Sequence, residues 1–120
     1  MLWWLADDPA LPSAARKCIR TRSNTILVSA ASAWEIAAKS RIGKLPLGSD
    51  LAVHFETYLA QESFESLPIT SSHAARAGLL PGPHRDPFDR MLIAQSQEEN
   101  LPIVSGDRIF DSYKLRRLWD

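Results

Sequence analysis

A single cysteine, Cys18, occurs in the 120 residues, so no internal disulfide can form and a small, bridge-stabilised secreted scaffold is excluded. A reducing cytoplasm is the expected location. Net charge is also absent, because 14 Lys+Arg balance 14 Asp+Glu. No global field draws the chain to nucleic acid, although neutrality leaves room for a local acidic site rimmed by basic residues. Aromatic residues make up only 8%, and Trp3, Trp4, Trp34 and Trp119 are therefore expected in the core rather than stacked on bases. No apolar run is long enough to span a bilayer. Met1-Leu2-Trp3-Trp4-Leu5 runs into Asp7 and Asp8 with no basic region before it, unlike a signal peptide. His54, His73 and His84 lack zinc-ligand spacing and a cysteine partner, so surface or cap roles are expected of them. Phosphate-binding glycine loops, dinucleotide fingerprints and serine nucleophile elbows are all missing.

What the chain has is an ordinary globular composition, 45% hydrophobic and 23% charged, at a length that suits one domain over residues 1–120 with a sizeable core. Thr25-Ile26-Leu27-Val28 predicts a short strand, and the alanine-rich stretch Ser29 to Lys39 a helix after it. Leu51, Phe55, Tyr58 and Leu59 recur at helical spacing behind a cap at Ser49 or Asp50. Phe64 to Ile69 predicts a strand that Pro68 confines to an edge or an end. A small helix from Ser71 or Ser72 to Ala77 should stop at Gly78. Asp86-Pro87 opens a further helix with proline at the favoured first position, and Phe88, Met91 and Leu92 form its buried stripe. Leu101 to Val104 predicts a strand, Ser105-Gly106-Asp107 the turn leaving it, and Leu115 to Trp119 a last strand. Strands alternating with helices point to an α/β fold, a parallel sheet with helices on both faces.

In such folds ligands bind beyond the carboxyl ends of the strands, where the next helices begin. Glu35 lies in the early turns of the helix after Leu27-Val28, Asp86 and Asp89 open another helix, and Asp107 follows Val104 by a short turn. Carboxylates delivered from separate segments to one sheet edge suit hard divalent cations such as Mg2+ or Mn2+. Each also has a plain structural reading. Ser32-Ala33-Trp34-Glu35 fits a capping box, and Glu35 stands four residues before Lys39 in the order that favours an ion pair. Asp86 and Asp89 fit an N-cap and a first-turn acid, and Asp107 fits a turn. Lys39, Arg41, Lys44, Arg85 and Arg90 are a solvated rim in one reading and phosphate contacts in the other.

Three blocks carry a family resemblance: Leu27-Val28-Ser29-Ala30-Ala31-Ser32-Ala33-Trp34-Glu35-Ile36-Ala37, then His84-Arg85-Asp86-Pro87-Phe88-Asp89-Arg90-Met91-Leu92-Ile93-Ala94-Gln95, then Leu101-Pro102-Ile103-Val104-Ser105-Gly106-Asp107. Together they resemble the signature blocks of PIN-domain ribonucleases, and among these the VapC-type toxins of toxin–antitoxin systems. The resemblance implies a PIN-like parallel sheet wrapped by helices and a Mg2+- or Mn2+-dependent endoribonuclease acting on RNA. It also implies a homodimer and inhibition by a cognate VapB-like antitoxin. Carried over by position, Glu35, Asp89 and Asp107 match the metal-ligating, catalytic acids. Asp86 and Ser29 match capping and supporting positions, and Lys39, Arg85 and Arg90 lie where RNA would be contacted. Family members also carry a first strand that ends in an aspartate just before the tryptophan pair. Here Met1-Leu2-Trp3-Trp4 begins after that point, and Asp7 and Asp8 do not match the missing residue. That departure leaves open a second reading, a catalytically impaired remnant that binds antitoxin without cleaving RNA. An in-frame upstream segment encoding a short aliphatic strand ending in aspartate would favour the first.

Overall fold

The computed structural model describes residues 25–43, 48–82, 86–105 and 107–118. Its elements run β1 (Leu27–Ser29), α1 (Ala30–Arg41), α2 (Gly48–Val53), α3 (Phe55–Gln61), β2 (Glu65–Leu67), α4 (Ser71–Leu79) and α5 (Pro87–Glu99). Strand β3 (Ile103–Val104), a 3-10 helix (Arg108–Tyr113) and β4 (Arg117–Leu118) complete the order. The fold is α/β with parallel strand pairing. The expected single sheet is, among the described residues, two separate two-stranded sheets, β1 with β2 and β3 with β4. Two-stranded sheets are marginal alone, so packing against helices must hold them.

That packing follows from where the apolar residues fall. Val28 of β1, Ile36 of α1, Phe55 and Leu59 of α3 and Phe64 before β2 form one buried cluster, with Val104 of β3 packed against it. Ala31, Ala77, Met91 and Ala94 form a second. Three of these four are alanines, whose small side chains let α1, α4 and α5 approach closely. Helix α1 therefore lies between the two clusters, with Ala31 in one and Ile36 in the other.

Several element ends differ from the sequence expectation. The single helix expected through Leu51, Phe55 and Leu59 is two, α2 and α3, meeting at His54, whose φ of −105° and ψ of 30° interrupt the helical run. Asp50 lies in the first turn of α2 and accepts a hydrogen bond from the Tyr58 hydroxyl at 2.7 Å. That bond to an anionic acceptor raises the Tyr58 hydroxyl's pKa. Gly78 does not stop α4, which runs on to Leu79 behind an N-cap at Thr70. Trp34 is 52% exposed rather than in the core. Trp3, Trp4, Cys18, Lys44, His84, Gly106 and Trp119 lie outside the described residues.

A 3-10 helix fills the stretch between Asp107 and the last strand. The Arg117 guanidinium clamps it to β4 by donating to both carboxylate oxygens of Asp111, at 2.9 and 3.1 Å. Hydrogen bonding from Arg117 lowers the Asp111 pKa, with the charges of Arg117 and Arg108 adding to it. A carboxyl lowered in the folded state contributes stability above its ordinary range and loses it as pH falls through the lowered value. Asp111→Asn should therefore reduce Tm slightly at neutral pH, and the difference from wild type should shrink as pH falls through and below the ordinary aspartate range. Thermal melts of the two proteins across pH check this.

The same helix ends on Tyr113, whose hydroxyl is buried without a hydrogen-bond partner among the described residues. It lies against Gly82, at φ +102°, where an added Cβ would fall 2.9 Å from the Tyr113 oxygen. A buried, unmatched hydroxyl costs about 1–3 kcal/mol. Tyr113→Phe should leave stability unchanged or raise it by up to about 1 kcal/mol, measurable by urea denaturation.

Candidate functional site

Ser29 ends β1 and caps α1. Its Oγ accepts from the Ala31 N–H at 3.0 Å, so the cap is Ser29 and not the Ser32–Glu35 box that the sequence suggests. Ser32 and Glu35 lie inside the helix. The β1 strand delivers this cap because it ends on two buried residues, Val28 in the apolar core and Ser29 at the helix start, where burial leaves its hydroxyl to pair with the helix backbone. Glu35 projects from the second turn, half-buried, and pairs with Lys39 one turn on at 3.2 Å. With Lys39 45% exposed, the pair is screened and contributes little to stability.

Asp86 caps α5, accepting at one carboxylate oxygen from the N–H groups of Phe88 at 2.9 Å and Asp89 at 3.2 Å. Pro87 stands at the first helical position and Asp89 in the first turn, half-buried. Asp107 caps the 3-10 helix, accepting from the Ile109 N–H at 3.0 Å, while its own N–H donates to Ser105 Oγ at 3.1 Å. It is exposed.

Two contacts hold α1 against α5. The Trp34 and Phe88 rings meet edge to face with centroids 4.4 Å apart, and the Ser29 hydroxyl donates to Gln95 Oε1 at 2.5 Å. Glu35 and Asp89 each stand next in sequence to one of these rings, on helices that pack against each other. Asp107 follows β3, whose Val104 packs against the same core cluster as Val28 and Ile36. Among the described residues no three His, Cys, Asp or Glu side chains are grouped so as to hold a metal ion.

The basic residues divide similarly. Lys39 is tied to Glu35, and Arg85 lies outside the described residues. Arg90 is committed to the C-terminus of α4, donating to the carbonyls of Ala77 at 3.0 Å, Gly78 at 3.4 Å and Leu80 at 2.7 Å. A cation there satisfies orphan carbonyls and complements the helix dipole. Position 90 thus buttresses the fold, where the sequence places a rim cation for RNA.

Gln95, to which the sequence reading gives no role, and His73, expected at the surface or in a cap, are 2% and 1% exposed. His73 has the expected capping role but is deeply buried, not at the surface. It completes a capping box with Thr70, its Nδ1 accepting from the Thr70 N–H at 3.1 Å. Gln95 announces itself in the sequence as a polar side chain four residues after Met91, on the apolar stripe of its helix.

Among the described residues no helix is long and apolar enough to cross a membrane. Comparison with curated proteins and with solved structures finds no match. Comparison with protein families matches the PIN domain over residues 1–115. With nearly the whole sequence covered and the α/β fold in agreement, the chain belongs to the PIN-domain family.

Proposed function

We propose that this PIN domain is an endoribonuclease toxin of a toxin–antitoxin system, with Glu35, Asp89 and Asp107 as the acidic residues on which RNA cleavage depends. PIN domains are generally nucleases, often related to toxin–antitoxin systems, so a nuclease-type hydrolase is the general class. The observation that supports the finer reading is the seam between α1 and α5, where the Trp34–Phe88 contact sets the helix turns bearing Glu35 and Asp89 against each other. Two half-buried carboxylates on facing helices suit proton transfer or cation binding at a phosphodiester. A VapB-like antitoxin, a homodimer and a cytoplasmic setting belong to the same proposal.

PIN-domain nucleases generally use divalent metals. The described residues present no group that fits one, and no catalytic step is assigned to an ion. The alternative reading is a non-catalytic module that binds antitoxin. Incubating the full chain with structured RNA, with Mg2+ or Mn2+ and then with EDTA, separates the two. Cleavage that EDTA abolishes supports the nuclease and its metal dependence. Intact RNA under every condition supports the binding module.

A further inference from the structure

Buried polar side chains connect the start of α1, through the middle of α5, to the end of the α4–α5 pair where α4 begins and α5 finishes, and chemistry dictates the direction of each bond. The Ala31 N–H can only donate, so Ser29 Oγ accepts it and turns its own proton to Gln95 Oε1, at 2.5 Å. That leaves the Gln95 amide nitrogen to donate to the Pro68 carbonyl at 3.2 Å, just past β2, and to face His73 Nδ1 at 3.5 Å. His73 Nδ1 already accepts from the Thr70 N–H. The imidazole is therefore unprotonated at Nδ1 and presents Nε2–H to Glu99 at 3.0 Å, with Glu98 at 3.6 Å. Glu98 is itself held by Ser72 and Arg76, whose hydrogen bonds lower its pKa. A chain with every donor and acceptor assigned admits one arrangement, because slipping α5 along α1 would leave buried groups unmatched.

The placement of this chain relative to Glu35 and Asp89 gives it a second consequence. Glu35 follows Ser29 by six positions, and Asp89 precedes Gln95 by six. Moving up α1 from Ser29 to Trp34 corresponds to moving down α5 from Gln95 to Phe88, and these two pairs are the observed contacts. At about 1.5 Å of rise per residue, a shift at the Gln95 end carries undiminished to the Asp89 end of a rigid helix. We propose that Gln95 is the positioning residue of the acidic seam: its amide, locked between Ser29 and the Pro68–His73 side, sets the register that places the Asp89 turn against the Glu35 turn. The inference rests on the reading of Glu35 and Asp89 as site residues only for its effect on catalysis. The register itself is independent of that reading.

The test uses the full chain and two readouts. In NMR spectra, the nuclear Overhauser contact between the Trp34 indole and the Phe88 ring reports the register without any need for activity, and RNA cleavage reports the consequence. Gln95→Met, which keeps volume and removes both polar ends, should abolish the ring contact and lower kcat at least tenfold with KM little changed. Ser29→Ala should weaken the contact in the same direction, and Ser29→Thr, which keeps the hydroxyl, should restore it. Ile93→Val, a mild core change in the same helix, should keep the contact. An unaltered Trp34–Phe88 contact in folded Gln95→Met, or its equal loss in Ile93→Val, overturns the proposal. If Gln95→Met does not fold, the Ser29 pair decides: equal behaviour of Ala and Thr also overturns it. A wild-type chain that cuts no RNA refutes the nuclease reading alone, since the ring contact still reports whether Gln95 sets the register.

Discussion

Asp89→Asn should lower RNA cleavage by about 10²–10⁴-fold, the contribution of a positioned carboxylate, while Tm stays close to wild type. Asparagine keeps the shape of the side chain, and the backbone N–H of position 89 still donates to Asp86. The small loss to expect comes from removing a negative charge in the first turn of α5, about 0.3–1 kcal/mol. Asp86→Ala should behave in the opposite way. Its carboxylate satisfies two otherwise orphaned N–H groups at the helix start, and removing such a cap costs about 1 kcal/mol of stability. Its effect on rate should follow only from the smaller folded fraction. Initial cleavage rates and thermal melts on the same preparations check both. Equal losses of activity at unchanged Tm would show that the two aspartates share one role.

The largest effect on stability is expected from Ile36→Ala. Ile36 is 2% exposed and packs with Val28, Phe55, Leu59 and Phe64, so truncation removes buried methyl groups from the cluster that joins β1, α1 and α3. Such changes cost about 2–5 kcal/mol, against a total of about 5–15 kcal/mol for a typical domain. The upper part of that range is expected here, because among the described residues each sheet has two strands and relies on helix packing. Urea denaturation should show a lower midpoint at an unchanged slope. A loss below about 1 kcal/mol would mean that α1 collapses into the space left behind.

Comparing these two predictions shows which parts of the site are legible without the fold. Asp86 at an N-cap is written into Asp-Pro-Phe-Asp, since an aspartate before a proline at the first helical position has few other places to go. The Glu35–Lys39 pair is similarly local, one helical turn apart. The cap of α1 is ambiguous by three residues in the sequence because two serines, Ser29 and Ser32, both suit the role. Only the end of β1, fixed by Val28 entering the core, selects Ser29. The scarcity of aromatics places Trp34 inside, yet its ring lies half outside against Phe88, a choice made by the crossing of α1 and α5.

Local order and family membership were thus determined by the sequence itself. Alternating strand and helix segments, their caps and the three signature blocks depend on interactions within a few residues or on motif order, and these survive without knowledge of the fold. The division of the described strands into two short sheets, the commitment of Arg90 to α4 and the buried Ser29–Gln95–His73 chain were decided only by tertiary structure. Each joins residues far apart in sequence, and each is selected by the need to pair polar groups once they are removed from water. That requirement acts on the packed molecule and leaves no periodic mark on the sequence.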